Sequence, residues 1–491
     1  MKLPLVLASA LSLAALLAVA TALTAPAPPG GGPPKPQATV SATAVPGAPT
    51  RALSLPYVRY ELKNGLTVIL HEDHTQPLCV VLVEYRVGSR DERVGRTGFA
   101  HLFEHLMFMG TKRVPVKMFD EWMEREGGWN NAFTSEDRTA FYDVGPIHAL
   151  PLMLWMEADR LAVLGQQIDQ GKLDPQRDVV RNERRDSIEN QPYGQVEIRL
   201  PELLWPAAHP YHHPVIGSHA DLAAATVQDV RDFFGQWYSP SNAILTIAGD
   251  FDPSALRALV EQDFAGIAAA ARPSRERSQN EPPRLGSVVR ETLEDQVSLP
   301  MVVIAWPSPA LYAPGDADLD LLAAVSSSGK ASRLYKALVY DKKLAQSVEA
   351  RQSSMGLASY FQIQATARKD VSLDDLERAI DAELALLRTK LVSAEELRRA
   401  QNQYEARFVS GLQSLNGRAM SLSSYQAYVG NPGYLGEDLA RYQRATPDSV
   451  RAAAERYLDP SARVILRIVP KPSPKEADAK PGDDAAPRRS P

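Results

Sequence analysis

Thr226-Val227-Gln228-Asp229-Val230-Arg231 leads into Ser239-Pro240-Ser241 and then the apolar run Ile244-Leu245-Thr246-Ile247. The same pattern returns 220 residues further along, as Thr446-Pro447-Asp448-Ser449-Val450-Arg451, Asp459-Pro460-Ser461 and Val464-Ile465-Leu466-Arg467-Ile468. Thr, Val, Arg, Pro and Ser recur without a gap. Each copy reads as a helix opened by a Thr cap, a turn, and an apolar strand. Because the copies fall near the ends of two stretches of similar length, the chain is read as an internal duplication. The polar, Pro-rich run Arg272 to Leu285 separates the two stretches as a linker.

Working outward, each half mixes strands and helices. The first opens with a hairpin, Tyr57 to Leu62 and Leu66 to Leu70 around the turn Asn64-Gly65, followed by a strand from Cys79 to Val87. The second has a strand at Met301 to Trp306. Long helices are predicted over Leu373 to Lys390 and Ala394 to Leu412, the latter with the capping box Ser393-x-x-Glu396. The expected fold class is α+β, with two homologous sheet-plus-helix halves. The first half is placed at 55–271, the linker at 272–289 and the second half at 290–470. Residues 25–54, rich in Pro, Gly and Ala, read as an extended tether, and 471–491 as a disordered tail.

Ahead of the tether, Lys2 precedes an apolar run from Leu3 to Leu23 that closes on Ala20-Thr21-Ala22, the pattern of a signal peptide over 1–24. The protein is therefore expected to be exported, to the periplasm or beyond the cell. An uncleaved membrane anchor is the alternative, since the run nearly reaches spanning length. Cys79 is the only cysteine, so no disulfide forms within the chain, and it reads as a small buried hydrophobe. Lys and Arg number 54 against 59 Asp and Glu, a formal charge of −5, which argues against a nucleic-acid partner. Trp205, Trp237 and Trp306 are expected in the core.

The chemistry lies in Thr97-Gly98-Phe99-Ala100-His101-Leu102-Phe103-Glu104-His105-Leu106-Met107-Phe108-Met109-Gly110. Thr97 is placed to cap a helix and Gly110 to end it. Phe99, Leu102, Phe103, Leu106 and Met107 fall on one face, and His101, Glu104, His105 and Phe108 on the other. Two histidines one turn apart aim ring nitrogens at one point, with Glu104 beside them to hold a water. H-x-x-E-H is a known arrangement of zinc peptidases. A third ligand is sought in Arg177-Asp178-Val179-Val180-Arg181-Asn182-Glu183-Arg184-Arg185-Asp186. There Glu183 shares a helical face with Val179 and Val180 and needs a partner, which a metal or a neighbouring arginine would supply. Glu189 is the alternative ligand. His209, His212 and His213 are read as a loop near the substrate rather than as a second metal cluster.

These features resemble the pitrilysin or insulinase-type (M16) zinc peptidases, the inverzincins, in the two-domain form of mitochondrial processing peptidase and bacterial homologues. The resemblance spans nearly all of Leu55 to Pro470. It rests on His101-x-x-Glu104-His105, the spacing to Glu183, Gly127-Gly128-Trp129-Asn130-Asn131-Ala132-Phe133-Thr134, and Pro210-Tyr211 with Ile216-Gly217. It implies a fold of the LuxS/MPP-like metallohydrolase type and one zinc ion held by His101, His105 and Glu183. Glu104 would be the general base. Asn131, Ala132 and Phe133 would lie on a sheet edge that takes peptide substrate as an added strand. Two positions depart from the family. Gln176 stands where relatives often carry a second Glu, and Val339 and Gln346 stand where active members carry an Arg and a Tyr in the second half. The second half has no H-x-x-E-H. The implied assembly is a heterodimer with a zinc-free family member that supplies the Arg/Tyr pair, a homodimer being the alternative. The implied activity is that of an endopeptidase acting on peptides or unfolded segments in an enclosed chamber, the alternative being a non-catalytic assembly or binding subunit.

Overall fold

The computed structural model describes residues 53–275 and 282–471. The predicted signal segment, the tether up to residue 52, residues 276–281 of the linker and the tail from residue 472 lie outside the described residues. Among the described residues, eleven strands form two mixed sheets. β1 (Val58–Glu61), β2 (Thr67–Glu72), β3 (Leu78–Tyr85), β4 (Trp129–Thr134), β5 (Thr139–Pro146) and β6 (Ala243–Gly249) make the first. β7 (Val289–Asp295), β8 (Met301–Ser308), β9 (Ala345–Ser353), β10 (Ser359–Ala367) and β11 (Val464–Pro470) make the second.

The sheet orders are β1-β2-β6-β3-β5-β4 and β7-β11-β8-β10-β9. Apart from β1 they are the same order, element for element. The single parallel pairing recurs as well: β2 with β6 in the first sheet, β7 with β11 in the second. The opening hairpin forms with Val58 opposite Leu70, and Gly65 takes φ +86° in its turn. The two quoted repeats are helices Val227–Trp237 and Pro447–Tyr457, each opened by a reciprocal capping box, Thr226 with Asp229 and Thr446 with Ser449. The helices Leu373–Thr389 and Ala394–Gly411 also form, the second behind the Ser393/Glu396 box.

Both faces of each sheet are covered, and this explains the unbroken apolar runs in β3, β6 and β8 where a half-exposed strand would alternate. On one face of the first sheet, Val81, Val83 and Leu245 pack on helices of their own half, among them Phe99–Leu106 and Leu150–Val163. The opposite face, with Val80, Leu82 and Ala248, meets Ala419 from helix Leu415–Val429 of the second half. The second sheet mirrors this: Val303, Ala305 and Leu466 meet Val196, Leu200 and Leu204 from helix Gln195–Leu204 of the first half. The two exchanged helices start 220 residues apart, the offset of the sequence repeat. Each half thus closes the other's core. Polar ties reinforce the exchange: Arg199 Nε and Nη2 donate to Glu291 at 2.7 and 2.9 Å, and Ser423 Oγ donates to Glu84 Oε2 at 2.9 Å.

Trp205, Trp237 and Trp306 are all buried, as expected, and so is Cys79, whose thiol burial pushes up to about 12. None of the described helices is long and apolar enough to cross a membrane.

Helix Leu373–Thr389 is riveted to the second sheet by Glu377, whose carboxylate accepts from both Arg290 Nη1 and Nη2 at 2.7 Å and from Arg467 Nη2 at 2.5 Å. Burial alone would raise the Glu377 pKa, but these guanidinium hydrogen bonds outweigh it and bring it down to about 2. Since the folded value lies below the unfolded one, this stabilisation is present above pH 4.5 or so and is lost as the pH falls toward 2. Glu377→Gln is predicted to cost about 1–2 kcal/mol at pH 7, because it removes the charge-assisted bonds to Arg290, which is half-exposed, and to Arg467, which keeps Asp374 as a second partner. It should also flatten the fall in urea midpoint between about pH 5 and 2.5, as denaturation across that range will read out.

Candidate active site

Helix Phe99–Leu106 lies under the first sheet with Leu102, Phe103 and Leu106 at or below 1% exposure. The predicted apolar face is thus the buried one. The start of the helix differs from expectation. Thr97 does not cap it: its hydroxyl donates to Asp221 Oδ2 at 2.5 Å and accepts from the Ser218 backbone at 3.0 Å. The N-cap is Gly98, at φ +85°, and the cap is instead the carboxylate of Glu92, which accepts from Gly98 N at 2.8 Å and Ala100 N at 2.7 Å. An acid supplied from outside the helix does the work of a side-chain cap and complements the helix dipole. Gly98 is obligatory for a second reason, since a Cβ there would stand 2.6 Å from the Ile216 carbonyl. That contact explains why Ile216-Gly217 belongs to the pattern. The helix also ends earlier than expected, at Leu106; Gly110 lies beyond it at φ +66°.

The other wall is helix Gln170–Arg184, capped by Asp169 and continued by a π-helical turn, Arg185–Glu189. It carries Glu183 against the two histidines. His105 Nε2 lies 3.2 Å from Glu183 Oε2, His101 Nε2 lies 3.7 Å from Glu183 Oε1, and the two Nε2 atoms are 3.4 Å apart. All three ligand atoms fall within 4.8 Å of one another, the only such group of three or more His, Cys, Asp or Glu among the described residues. The alternative in which an arginine claims Glu183 does not occur.

The electrostatics suit a cation. Burial, seconded by the neighbouring His105, lowers the His101 pKa to about 4, so its imidazole is neutral and has a lone pair to give. Burial opposes ionisation of Glu183, yet the hydrogen bond from His105 holds its pKa below the usual value. Two imidazoles and a carboxylate, half-sheltered and aimed at one point, are a donor set that fits zinc. Glu104 sits on the same helix face. Burial raises its pKa to about 7 against the opposing hydrogen bond from Thr134, whose Oγ1 donates to Glu104 Oε2 at 2.6 Å. Thr134 carries no signal of this role in the sequence beyond ending the Gly127–Thr134 stretch.

Asn131, Ala132 and Phe133 lie on β4, which pairs with β5 on one side and ends the sheet on the other. The strand with this free edge ends at Thr134, the residue whose hydroxyl touches Glu104. The Asn131 side chain folds back along the edge, Oδ1 accepting from Ala132 N at 2.8 Å.

The remaining sequence candidates go elsewhere. Glu189 is bound by Arg184 Nε at 2.8 Å and by His219 Nε2 at 3.0 Å, away from the histidine pair. Gln176 donates to Met109 Sδ at 2.9 Å. His209 stacks on Trp205, His212 Nδ1 lies 2.8 Å from the Trp205 carbonyl, and His213 Nδ1 lies 3.3 Å from the Pro214 carbonyl, so the three do not converge. In the second half Val339 is buried in the π-helical segment Tyr335–Asp341, and Gln346 is exposed on the edge strand β9.

Comparison with known proteins agrees with this architecture. The profile of Insulinase (Peptidase family M16) matches residues 67–209, and that of the Peptidase M16 inactive domain matches residues 224–404. A zinc protease of Helicobacter pylori, PqqE, is 29% identical over 416 residues, covering 82% of this chain and 91% of that protein. The crystal structure of a protease from Helicobacter pylori superposes with a TM-score of 0.79 at 26% identity, covering 85% of this chain and all of that one. The periplasmic protease PqqL from Escherichia coli shares the fold (TM-score 0.68, 20% identity), with 89% of this chain matching 52% of that longer chain. With both halves matched by their respective profiles, and with the sheet order and the donor cluster in place, the chain belongs to the M16 peptidase family.

Proposed function

We propose that this protein is a zinc-dependent endopeptidase whose ion would be held by His101 Nε2, His105 Nε2 and the Glu183 carboxylate. The observation that carries the reading is the clustering of those three ligand atoms within 4.8 Å, with a buried, hydrogen-bonded Glu104 on the same helix face. When bound, zinc would acidify a water and polarise the scissile carbonyl. Thr134 fixes Glu104 Oε2, leaving Oε1 to accept the proton of the attacking water and deliver it to the departing amine. A carboxyl pKa near 7 suits both halves of that exchange. Asn131, Ala132 and Phe133 would present the free edge of β4 to the substrate backbone. Main-chain pairing of this kind binds extended segments and reads little sequence.

The partner reading follows from the second half. Val339 and Gln346 offer neither a cation nor a phenol to a substrate, and this chain matches only 52% of the length of PqqL. A zinc-free family member bearing the missing Arg and Tyr would complete an enclosed chamber, with a second copy of this chain as the alternative. Export across a membrane is proposed from the apolar run at Leu3 to Leu23.

Glu104→Gln is expected to keep its zinc and lose about 10³-fold in peptide cleavage, whereas Glu183→Ala loses the metal itself, both read by metal analysis and a peptide assay. Zinc retention with no cleavage by the wild type, alone or with a partner, would leave a binding subunit as the answer. Thr134→Val should lower kcat by about tenfold with metal content unchanged, since it removes one hydrogen bond to a charged group. Assayed alone as a monomer, the chain is expected to be nearly inactive; full activity in that state would overturn the two-chain assembly.

A further inference from the structure

The β4–β5 hairpin that supplies Thr134 is gripped at its tip by the second half of the chain. Asp137, in the turn, is only 4% exposed. Its Oδ1 accepts from the Tyr211 hydroxyl at 2.7 Å and Arg90 Nη1 at 2.8 Å. Its Oδ2 accepts from the backbone N of Gly356 at 2.7 Å and the Tyr428 hydroxyl at 3.4 Å. The Tyr211 hydroxyl in turn accepts from Leu357 N at 2.9 Å. Gly356 and Leu357 form the turn between β9 and β10, and Tyr428 lies on the exchanged helix Leu415–Val429. The fit is close: a Cβ on Gly356 would stand 2.8 Å from Asp137 Oδ1.

A carboxylate with four donors, most of them short, is a strong and directional anchor, because hydrogen bonds to a charged acceptor are the strong ones. The turn it anchors is short and closed on itself, Ser135 N donating to the Arg138 carbonyl at 2.8 Å. Only two residues separate Asp137 from Thr134, so a shift of the tip is passed to the hydroxyl that holds Glu104. Tyr211, which belongs to the Pro210-Tyr211 pattern and touches no part of the donor cluster, gains a purpose in this arrangement.

We infer that Asp137, held by Tyr211 and by the Gly356 amide, is a positioning residue through which the second half fixes the β4–β5 hairpin and, through Thr134, the orientation of Glu104. This rests on the reading of Glu104 as the general base. It gives the metal-free half a task within its own chain, separate from any contact with substrate.

The test uses the full zinc-loaded chain in the assembly that cleaves a test peptide. Tyr211→Phe removes the bridging hydroxyl and keeps the ring. Tyr425→Phe is the control, losing a comparable buried bond, Tyr425 OH to Asp438 Oδ2 at 2.8 Å, on the helix that carries Tyr428 but to a residue outside the hairpin. Glu104→Gln supplies the blank. In Tyr211→Phe, amide exchange at Leu357, Gly356 and Thr134–Thr139 is expected to rise about tenfold and kcat to fall about tenfold, with KM and bound zinc unchanged. Tyr425→Phe should lose thermal stability while kcat stays within about twofold of wild type. Asp137→Asn, of equal size, should act in the same direction as Tyr211→Phe. The assignment is overturned if Tyr211→Phe frees the Leu357 amide yet keeps its kcat, or if both tyrosine variants lose kcat in step with stability. A wild type that cleaves no better than the Glu104→Gln blank would instead sink the peptidase reading, and this assignment with it.

Discussion

The site depends on keeping two imidazoles and a carboxylate within reach of one another while helices from different parts of the chain carry them. His101 and His105 are one turn apart on Phe99–Leu106, so their spacing is fixed by helix geometry alone. Glu183 is not so constrained: it arrives on Gln170–Arg184, and its 3.2 Å approach to His105 holds only if the two helices are locked in register. The lock is made at the N-terminus of the histidine helix. Glu92 takes the amides of Gly98 and Ala100, and Gly98 lies against Gly217 so closely that neither could carry a side chain. Arg184, the residue after Glu183, donates to the Gly217 carbonyl. One backbone segment, Ile216-Gly217, thus meets the histidine helix by direct backbone packing and the Glu183 helix through the Arg184 side chain.

Duplication explains the rest of the frame. Both halves keep the strand order and the exchanged helix, because each needs the other's helix to close the second face of its sheet. What they do not share is the polar chemistry. The counterpart of the histidine helix is Asp316–Ser327, which places Asp316 against Arg441 at 3.1 Å and against Ser354 Oγ at 2.6 Å. The same scaffold position is spent on an internal ion pair in one half and on metal-competent donors in the other. A buried ion pair of that kind adds little net stability over apolar packing but is costly to break. That cost gives the second half a reason to have stayed rigid after its open chemistry was lost or never acquired.

How much of this was legible from the residues varies with the range of the interaction. Local signals read well. The Thr226 and Thr446 caps, the Ser393 box and the Asn64-Gly65 turn all form, since each is decided within a few residues. The apolar face of the histidine helix followed from its 3.6-residue period. Glu183 was reachable because a carboxylate among apolar neighbours needs a partner. What failed was the cap. Thr97 has the right chemistry and position, but Asp221, 124 residues on, takes its hydroxyl, and Glu92 caps from six residues upstream. The helix exchange also escaped notice, although the repeat offset carries it: Gln195 and Leu415 lie 220 residues apart in segments of unlike sequence, so only the backbone preserves the relation. Thr134 and Asp137 could not be found from composition, because their significance lies wholly in what the fold sets opposite them.

An unpaired sheet edge beside a reactive centre is both an opportunity and a hazard, since bare backbone recruits strands without regard to sequence. β4 meets the hazard in two ways. It is only six residues long, and the Asn131 side chain satisfies the outward amide of Ala132 at 2.8 Å. That amide is therefore already occupied, by a group that one side-chain rotation would remove. A strand entering here exchanges one hydrogen bond for several, whereas a partner offering a single contact gains nothing. If the edge takes substrate as proposed, length of extended backbone rather than identity of side chains would be the quantity that it selects.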